Sequence, residues 1–106
     1  MRTVILNAFS LNMLDCSYSR GIKIDPISAQ EASWMMDGAT SAVGHEDTAR
    51  VFSSILGVEV ACNRATVTLE ENTRAIVGQY KGPRLPEGAM SLPEGASLVW
   101  CLVTVE

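Results

Sequence analysis

Close to its start the chain reads Thr3-Val4-Ile5-Leu6-Asn7, four strand formers in a row and then a polar stop. A strand that is apolar at every position has no solvent face. It belongs in the middle of a sheet with both faces covered, as in α/β domains. Ser97 to Val105 has the same character and predicts a last strand, again apolar on both faces. Between these two strands the pattern changes period. Ser28 and Glu31 form the S-x-x-E capping box, which predicts a helix over about Ser28 to Met36 that ends near Gly38. A second helix is predicted from about Glu46 to Leu56. Glu46 and Asp47 suit its positive N-terminus, Ala49, Phe52, Ile55 and Leu56 form its apolar stripe, and Gly57 is its stop.

The intervening segments are shorter. Ala8 to Gly21 reads as a loop or a short helical turn, and the alternation of Ile22-Lys23-Ile24 suits a short strand. Ala65 to Leu69 and Arg74 to Tyr80 flank a polar turn, Glu70 to Thr73, which is a hairpin signal. Lys81 to Ala96 is rich in Pro and Gly and reads as a loop. The expectation is one small α/β domain over residues 1–106, with a mixed sheet of about five strands flanked by helices. At 106 residues there is no room for two cores, and roughly 65% of the unfolded surface is buried.

Composition narrows the function. Hydrophobic residues at 47% exclude a disordered chain, and no apolar run approaches the ~20 residues of a membrane-spanning helix. The start is too short in apolar residues for a secretion signal, so a cytoplasmic location and no membrane partner are expected. The net charge of −4 argues against a broad face for duplex nucleic acid, so no DNA partner is expected. One small anionic ligand is compatible, because four of the eight bases, Arg64, Arg74, Lys81 and Arg84, fall within one segment. Cys16, Cys62 and Cys101 are odd in number and widely spaced, which speaks against a disulfide framework. One His and three Cys would make a zinc set only with close-spaced ligand pairs, which are missing. No metal site is expected.

Three clusters carry candidate chemistry. His45, the only histidine, follows Ala42-Val43-Gly44 and precedes the second helix. There it would lie beside free backbone N–H groups able to hold a phosphate, and Gly44 would let the backbone approach closely. Alternatively it is simply a helix-start residue. Asn7, Ser10 and Asn12 follow the first strand, where ligands gather in open α/β sheets. Short polar residues also satisfy loop backbone. Arg84-Leu85-Pro86-Glu87-Gly88 pairs a cation with a carboxylate, as a phosphodiester site would. Yet Leu92-Pro93-Glu94-Gly95 repeats four of its letters without the Arg, which shows that turn chemistry alone can produce them.

Taken in order, these blocks resemble a known set. Leu6-Asn7-Ala8-Phe9-Ser10-Leu11-Asn12-Met13-Leu14 is similar to the N-terminal motif of a small family first met in archaeal viruses. Ser41-Ala42-Val43-Gly44-His45-Glu46-Asp47-Thr48, then Ser54-Ile55-Leu56-Gly57 and Asn63-Arg64, resembles its middle motif. Arg84-Leu85-Pro86-Glu87-Gly88 resembles its third. The family is that of the viral anti-CRISPR ring nucleases, which degrade cyclic tetra-adenylate, with relatives in phages and bacteria. The resemblance implies a homodimer that binds one cyclic tetra-adenylate across its two-fold axis and needs neither metal nor cofactor.

The chemistry so implied is attack of a ribose 2′-OH on its own 3′-phosphate. The next nucleotide's 5′-oxygen leaves, and the products are linear di-adenylates ending in a 2′,3′-cyclic phosphate. In this reading His45 is the general acid, Arg84 contacts the scissile phosphate and Glu87 stabilises protonated His45. Asn7, Ser10, Asn12, Gly44 and Arg64 would bind and align the ring. Two departures stand out. Gly82-Pro83 occupies positions where relatives often carry a polar residue, commonly Gln, and only Ala89 to Ala96 separates the third motif from the last strand. A short closing segment is expected to hold the ring less tightly. The competing function is a protein that sequesters the ring without cutting it.

Overall fold

The computed structural model describes residues 2–106. It contains the five-stranded mixed sheet and the two helices. Strand β1 spans Arg2–Leu6, β2 Ile22–Ile27, β3 Thr40–Ser41, β4 Thr73–Lys81 and β5 Ser97–Val105. Helix α1 covers Ala29–Trp34 and α2 covers Glu46–Leu56. The sheet order is β2-β5-β4-β1-β3. Strand β1 runs parallel to both neighbours, pairing Ile5 with Ile76 of β4 and with Ser41 of β3. The β4, β5 and β2 pairs are antiparallel.

The apolar opening run does what its composition requires. Alternate side chains of β1 enter two different cores. Ile5 joins Ile76 and Trp100 beneath Ala49, Phe52 and Leu56 of α2. Val4 and Leu6 join Ala75, Val77 and Val103 on the other face. Among the described residues that second face has no α-helix over it. Instead Val67 and Leu69 lie on it, together with Phe9, Met13 and Leu14, and the Leu69 N–H donates to Met13 O at 2.7 Å.

This covering segment corrects the expected hairpin. Ala65 to Leu69 does not pair with β4, whose neighbours are β1 and β5. The apolar alternation there is genuine, since Val67 and Leu69 are buried. An extended segment laid across a sheet face buries every second residue just as a strand within a sheet does. The turn before β4 also exists, with the Thr73 N–H donating to Glu70 O at 3.0 Å and Asn72 in the left-handed region at φ 66°. It brings the chain from above the sheet into it. The hairpin is β4–β5, joined by the Pro/Gly-rich loop.

Other elements follow their local signals. Ser28 caps α1 reciprocally: the Glu31 N–H donates to Ser28 Oγ at 3.0 Å and the Ser28 N–H to Glu31 Oε1 at 3.1 Å. Helix α2 has the predicted span and ends at Gly57, with φ at 70°. Strand β2 is longer than expected and includes Pro26, which an edge strand tolerates because its outer N–H has no ladder partner. The two-residue β3 was not foreseen.

Helix α2 is pressed hard onto the sheet at one point. Phe52 meets Trp100 of β5 with ring centroids 4.8 Å apart and planes at 60°. Gly78 of β4 lies directly beneath, and a Cβ there would come within 2.5 Å of Phe52 and 2.8 Å of Trp100. The missing side chain at residue 78 sets how closely the helix approaches.

Candidate ligand-binding and catalytic site

Because β1 and β4 are parallel, their carboxyl ends emerge on the same edge of the sheet. In open α/β folds that edge is where ligands collect. Asn7 leaves β1 there, Gln79 and Tyr80 lie near the end of β4, and α2 begins beside them with His45 at its N-cap. Three adjoining hollows run along this edge. The first, about 530 Å³, is lined by Asn7, Gly44, His45, Arg64 and Thr66. The second, about 420 Å³, shares His45 and is closed by Asp47, Thr48, Tyr80 and Arg84. The third, about 630 Å³, shares Asn7, Thr48 and Tyr80 and is walled by Phe9, Val77 and Cys101. Each falls within the size range of small-ligand sites.

The first hollow is held by a small polar scaffold. The Gly44 N–H donates a long hydrogen bond to Asn7 Oδ1 at 3.4 Å, tying the end of β1 to the approach of α2. Asn63 grips the same approach, its N–H donating to Val43 O at 2.8 Å and its Nδ2 to Ser41 O at 2.7 Å. Arg64 donates from Nε to Gly44 O at 2.9 Å, and among the described residues its terminal nitrogens have no partner. A guanidinium so placed offers a fixed fork to an anion.

His45 has extended backbone, φ −126° and ψ 129°, and its side chain makes no capping hydrogen bond. Its imidazole is exposed and uncommitted, at the end of the helix that favours negative charge. Gly44 has an ordinary φ, and a Cβ there would meet only Arg64 Cγ at 3.5 Å, a normal contact. The folded chain therefore has room for a side chain at this position. Only something entering the hollow would need it bare.

Arg84 lines the second hollow together with His45. Glu87 does not line it. It sits on a tight turn in which the Ala89 N–H donates to Pro86 O at 3.0 Å and Gly88 takes φ 79°. The Gly88 N–H donates to Asp47 Oδ1 at 3.1 Å, which brings the turn to the first turn of α2. Ser10 and Asn12 stand apart from the hollows. Ser10 Oγ accepts the Asn12 N–H at 3.2 Å and caps a single 3-10 turn, Leu11–Met13.

Several lining residues escaped the sequence reading. Asp47 falls in the middle motif, but by itself it reads as a helix-dipole acid. Thr48 carried no signal of its own. Gln79 and Tyr80 read as the end of a strand, although Tyr80 OH also donates to Pro83 O and so braces the loop that follows. Of the thiols, Cys16 and Cys62 are exposed, while burial pushes the Cys101 thiol up and keeps it protonated, a poor nucleophile. Among the described residues no group of three or more His, Cys, Asp or Glu could hold a metal ion. No helix among the described residues is long and apolar enough to cross a membrane.

Fold and site together define a class: a small mixed-sheet α/β protein with a polar, histidine-bearing cleft at the carboxyl ends of two parallel strands. The chain belongs to the STIV B116-like family, whose model matches residues 3–95. Among solved structures it is similar to B116 of Sulfolobus turreted icosahedral virus, a viral protein, at 22% identity and a TM-score of 0.80. That match covers 98% of this chain and 99% of the viral one, and at this identity it speaks for the fold. No curated protein sequence matches the chain.

Proposed function

We propose that the protein is a metal-independent ring nuclease that cleaves cyclic tetra-adenylate to linear di-adenylate with a 2′,3′-cyclic phosphate. In a host carrying type III CRISPR immunity, this reaction switches the alarm signal off. The observation that carries the reading is the uncommitted imidazole of His45, at a helix N-terminus and lining one hollow with Arg84. A phosphodiester transesterification needs that combination. The cation offsets charge gathering on phosphorus, and the imidazole supplies the proton that the 5′-oxygen requires as it leaves. The neighbouring hollow of Asn7, Gly44 and Arg64 suits the adjoining phosphate and ribose.

A homodimer completes the reading. A ring of four identical nucleotides can itself be two-fold symmetric, and an isologous dimer meets it with matched contacts. Each protomer then offers one His45 to one of two opposite phosphodiesters, and two cuts release two di-adenylates. The site would work in the cytoplasm, where the messenger is made.

The sequestering alternative is favoured by one observation: Glu87 is not on the wall of the His45 hollow. Product analysis separates the two. The protein is incubated with cyclic tetra-adenylate in EDTA, with His45→Ala alongside, and products are identified by mass. Di-adenylate cyclic phosphate from the wild type is the expected result. His45→Ala is expected to lose about 10²- to 10⁴-fold in rate, the worth of a general acid, with binding largely kept. An unchanged ring that is tightly bound would establish the sequestering role. A ring neither bound nor cut would refute both.

A further inference from the structure

The loop between β4 and β5 holds two copies of one pentapeptide. Leu85-Pro86-Glu87-Gly88-Ala89 recurs as Leu92-Pro93-Glu94-Gly95-Ala96. The backbone repeats as well. Both copies close a turn from the Ala N–H to the Pro carbonyl, at 3.0 Å and 3.1 Å, and both glycines are left-handed, with φ 79° and 83°. The turn is thus a property of the five residues themselves. What differs is docking. The first copy donates the Gly88 N–H to Asp47 Oδ1 at 3.1 Å. Among the described residues, the Gly95 N–H has no such acceptor. Asp47 is itself held, because the same Oδ1 accepts from Arg50 Nη1 at 3.1 Å. It also shares the hollow of His45 and Arg84.

We propose that Asp47 is a positioning residue: it docks the turn that follows Arg84 onto the first turn of α2 and so sets Arg84 in the hollow it lines with His45. The inference rests on the phosphodiester reading of the hollow for its consequence, but not for the docking itself. Asp47 lies two residues from His45 at the start of one helix, and Gly88 lies four residues after Arg84, in the Pro86–Ala89 turn that follows it. With the Tyr80 OH bond to Pro83 O holding the chain just before Arg84, this hydrogen bond holds the chain just after it, and the two set the phosphate-binding cation relative to the general acid. Misplacing either by about an ångström costs up to ~10²-fold in rate.

The test compares wild type, Asp47→Ala, Asp47→Asn and Glu94→Gln. Asparagine keeps a carbonyl oxygen for Gly88; alanine does not. With cyclic tetra-adenylate, Asp47→Ala is expected to lose about 10- to 100-fold in kcat with KM little changed. Asp47→Asn should restore most of that loss, and Glu94→Gln, on the undocked twin, should match the wild type. Hydrogen exchange gives a readout free of activity. The Gly88 amide should lose protection in Asp47→Ala and keep it in Asp47→Asn, while Ala89, Gly95 and Ala96, which have no partner on α2, stay unchanged in both. If Asp47→Ala melts below the assay temperature, Asp47→Ser keeps a polar first turn, is too short to reach Gly88, and carries the same expectation. Should the wild type fail to cut the ring, the nuclease reading falls and the exchange data alone judge the docking. Equal protection of Gly88 in all variants, or a wild-type kcat in Asp47→Ala, would overturn the proposal.

Discussion

Adding one methyl group at Gly78 should loosen the whole upper half of the molecule. The new Cβ would lie 2.5 Å from Phe52 Cζ and 2.8 Å from Trp100 Cζ3, well inside contact distance. Neither ring can swing away, since both are at least 95% buried and packed on each other. Overpacking of this kind costs about 1–3 kcal/mol. Against it stands the conformational gain of replacing glycine within a strand, about 0.5–1 kcal/mol. The steric term wins, and a net loss of about 1–2 kcal/mol follows. For a domain near 100 residues that lowers Tm by roughly 4–10 °C. The strain has one soft outlet, which is for α2 to lift off the sheet. Phe52 is two turns from His45 along that helix, so lifting also moves the imidazole relative to Asn7. Urea and thermal melts of wild type, Gly78→Ala, Phe52→Leu and the double variant form a cycle. The smaller leucine makes space for the methyl, so the double variant should be more stable than the sum of the singles by at least ~0.5 kcal/mol. If Gly78→Ala were as stable as wild type, or the two changes simply added, the close-approach argument would be wrong.

Other expectations are simpler. Gly44→Ala should leave Tm nearly unchanged, because its Cβ meets only Arg64 at 3.5 Å, yet weaken ring binding by about tenfold, ~1.4 kcal/mol, in a titration. Ser28→Ala removes one half of the capping box on α1 and should cost about 1 kcal/mol in a urea melt, with cleavage unaffected. Iodoacetamide near pH 8 should label Cys16 and Cys62 well before Cys101, whose burial raises its thiol pKa; mass mapping of the labelled peptides checks the order.

Much of the architecture was legible because its signals are local. The capping box of Ser28 and Glu31 and the stop at Gly57 act through neighbours within a few residues, and the unbroken apolar run of β1 carries its need for cover on both faces in its own composition. The misplaced segment, Ala65 to Leu69, failed for a different reason. Alternation reports that one side of an extended chain is buried, and says nothing about where its backbone hydrogen bonds go. Strand β3 was invisible because two residues have no pattern; Thr40 and Ser41 are strand only by virtue of Val4 and Ile5 beside them. The place of His45 at the start of α2 was legible from the Gly44 before it and the acids after it. Asp47 was not, since one carboxylate satisfies both a helix N-terminus and a distant turn, and only the former is visible along the chain. Ser10 and Asn12 lie near the strand end in sequence, but they are turned to their own short helix.

The parallel partnership of β1 with β4 also governs when the cleft can come into being. Ile5 waits for Ile76. A ribosome adding about 5–20 residues per second leaves the first strand without its main neighbour for several seconds. During that time the helices α1 and α2 can form, but Val4, Ile5 and Leu6 have only short-range cover. Long-range parallel pairing is intrinsically slow, so this step is expected to limit the folding rate. His45 is made 35 residues before Tyr80 and 39 before Arg84. A chain that stops before β4 therefore carries the histidine without the cleft, whose other walls exist only once Tyr80 and Arg84 are in place.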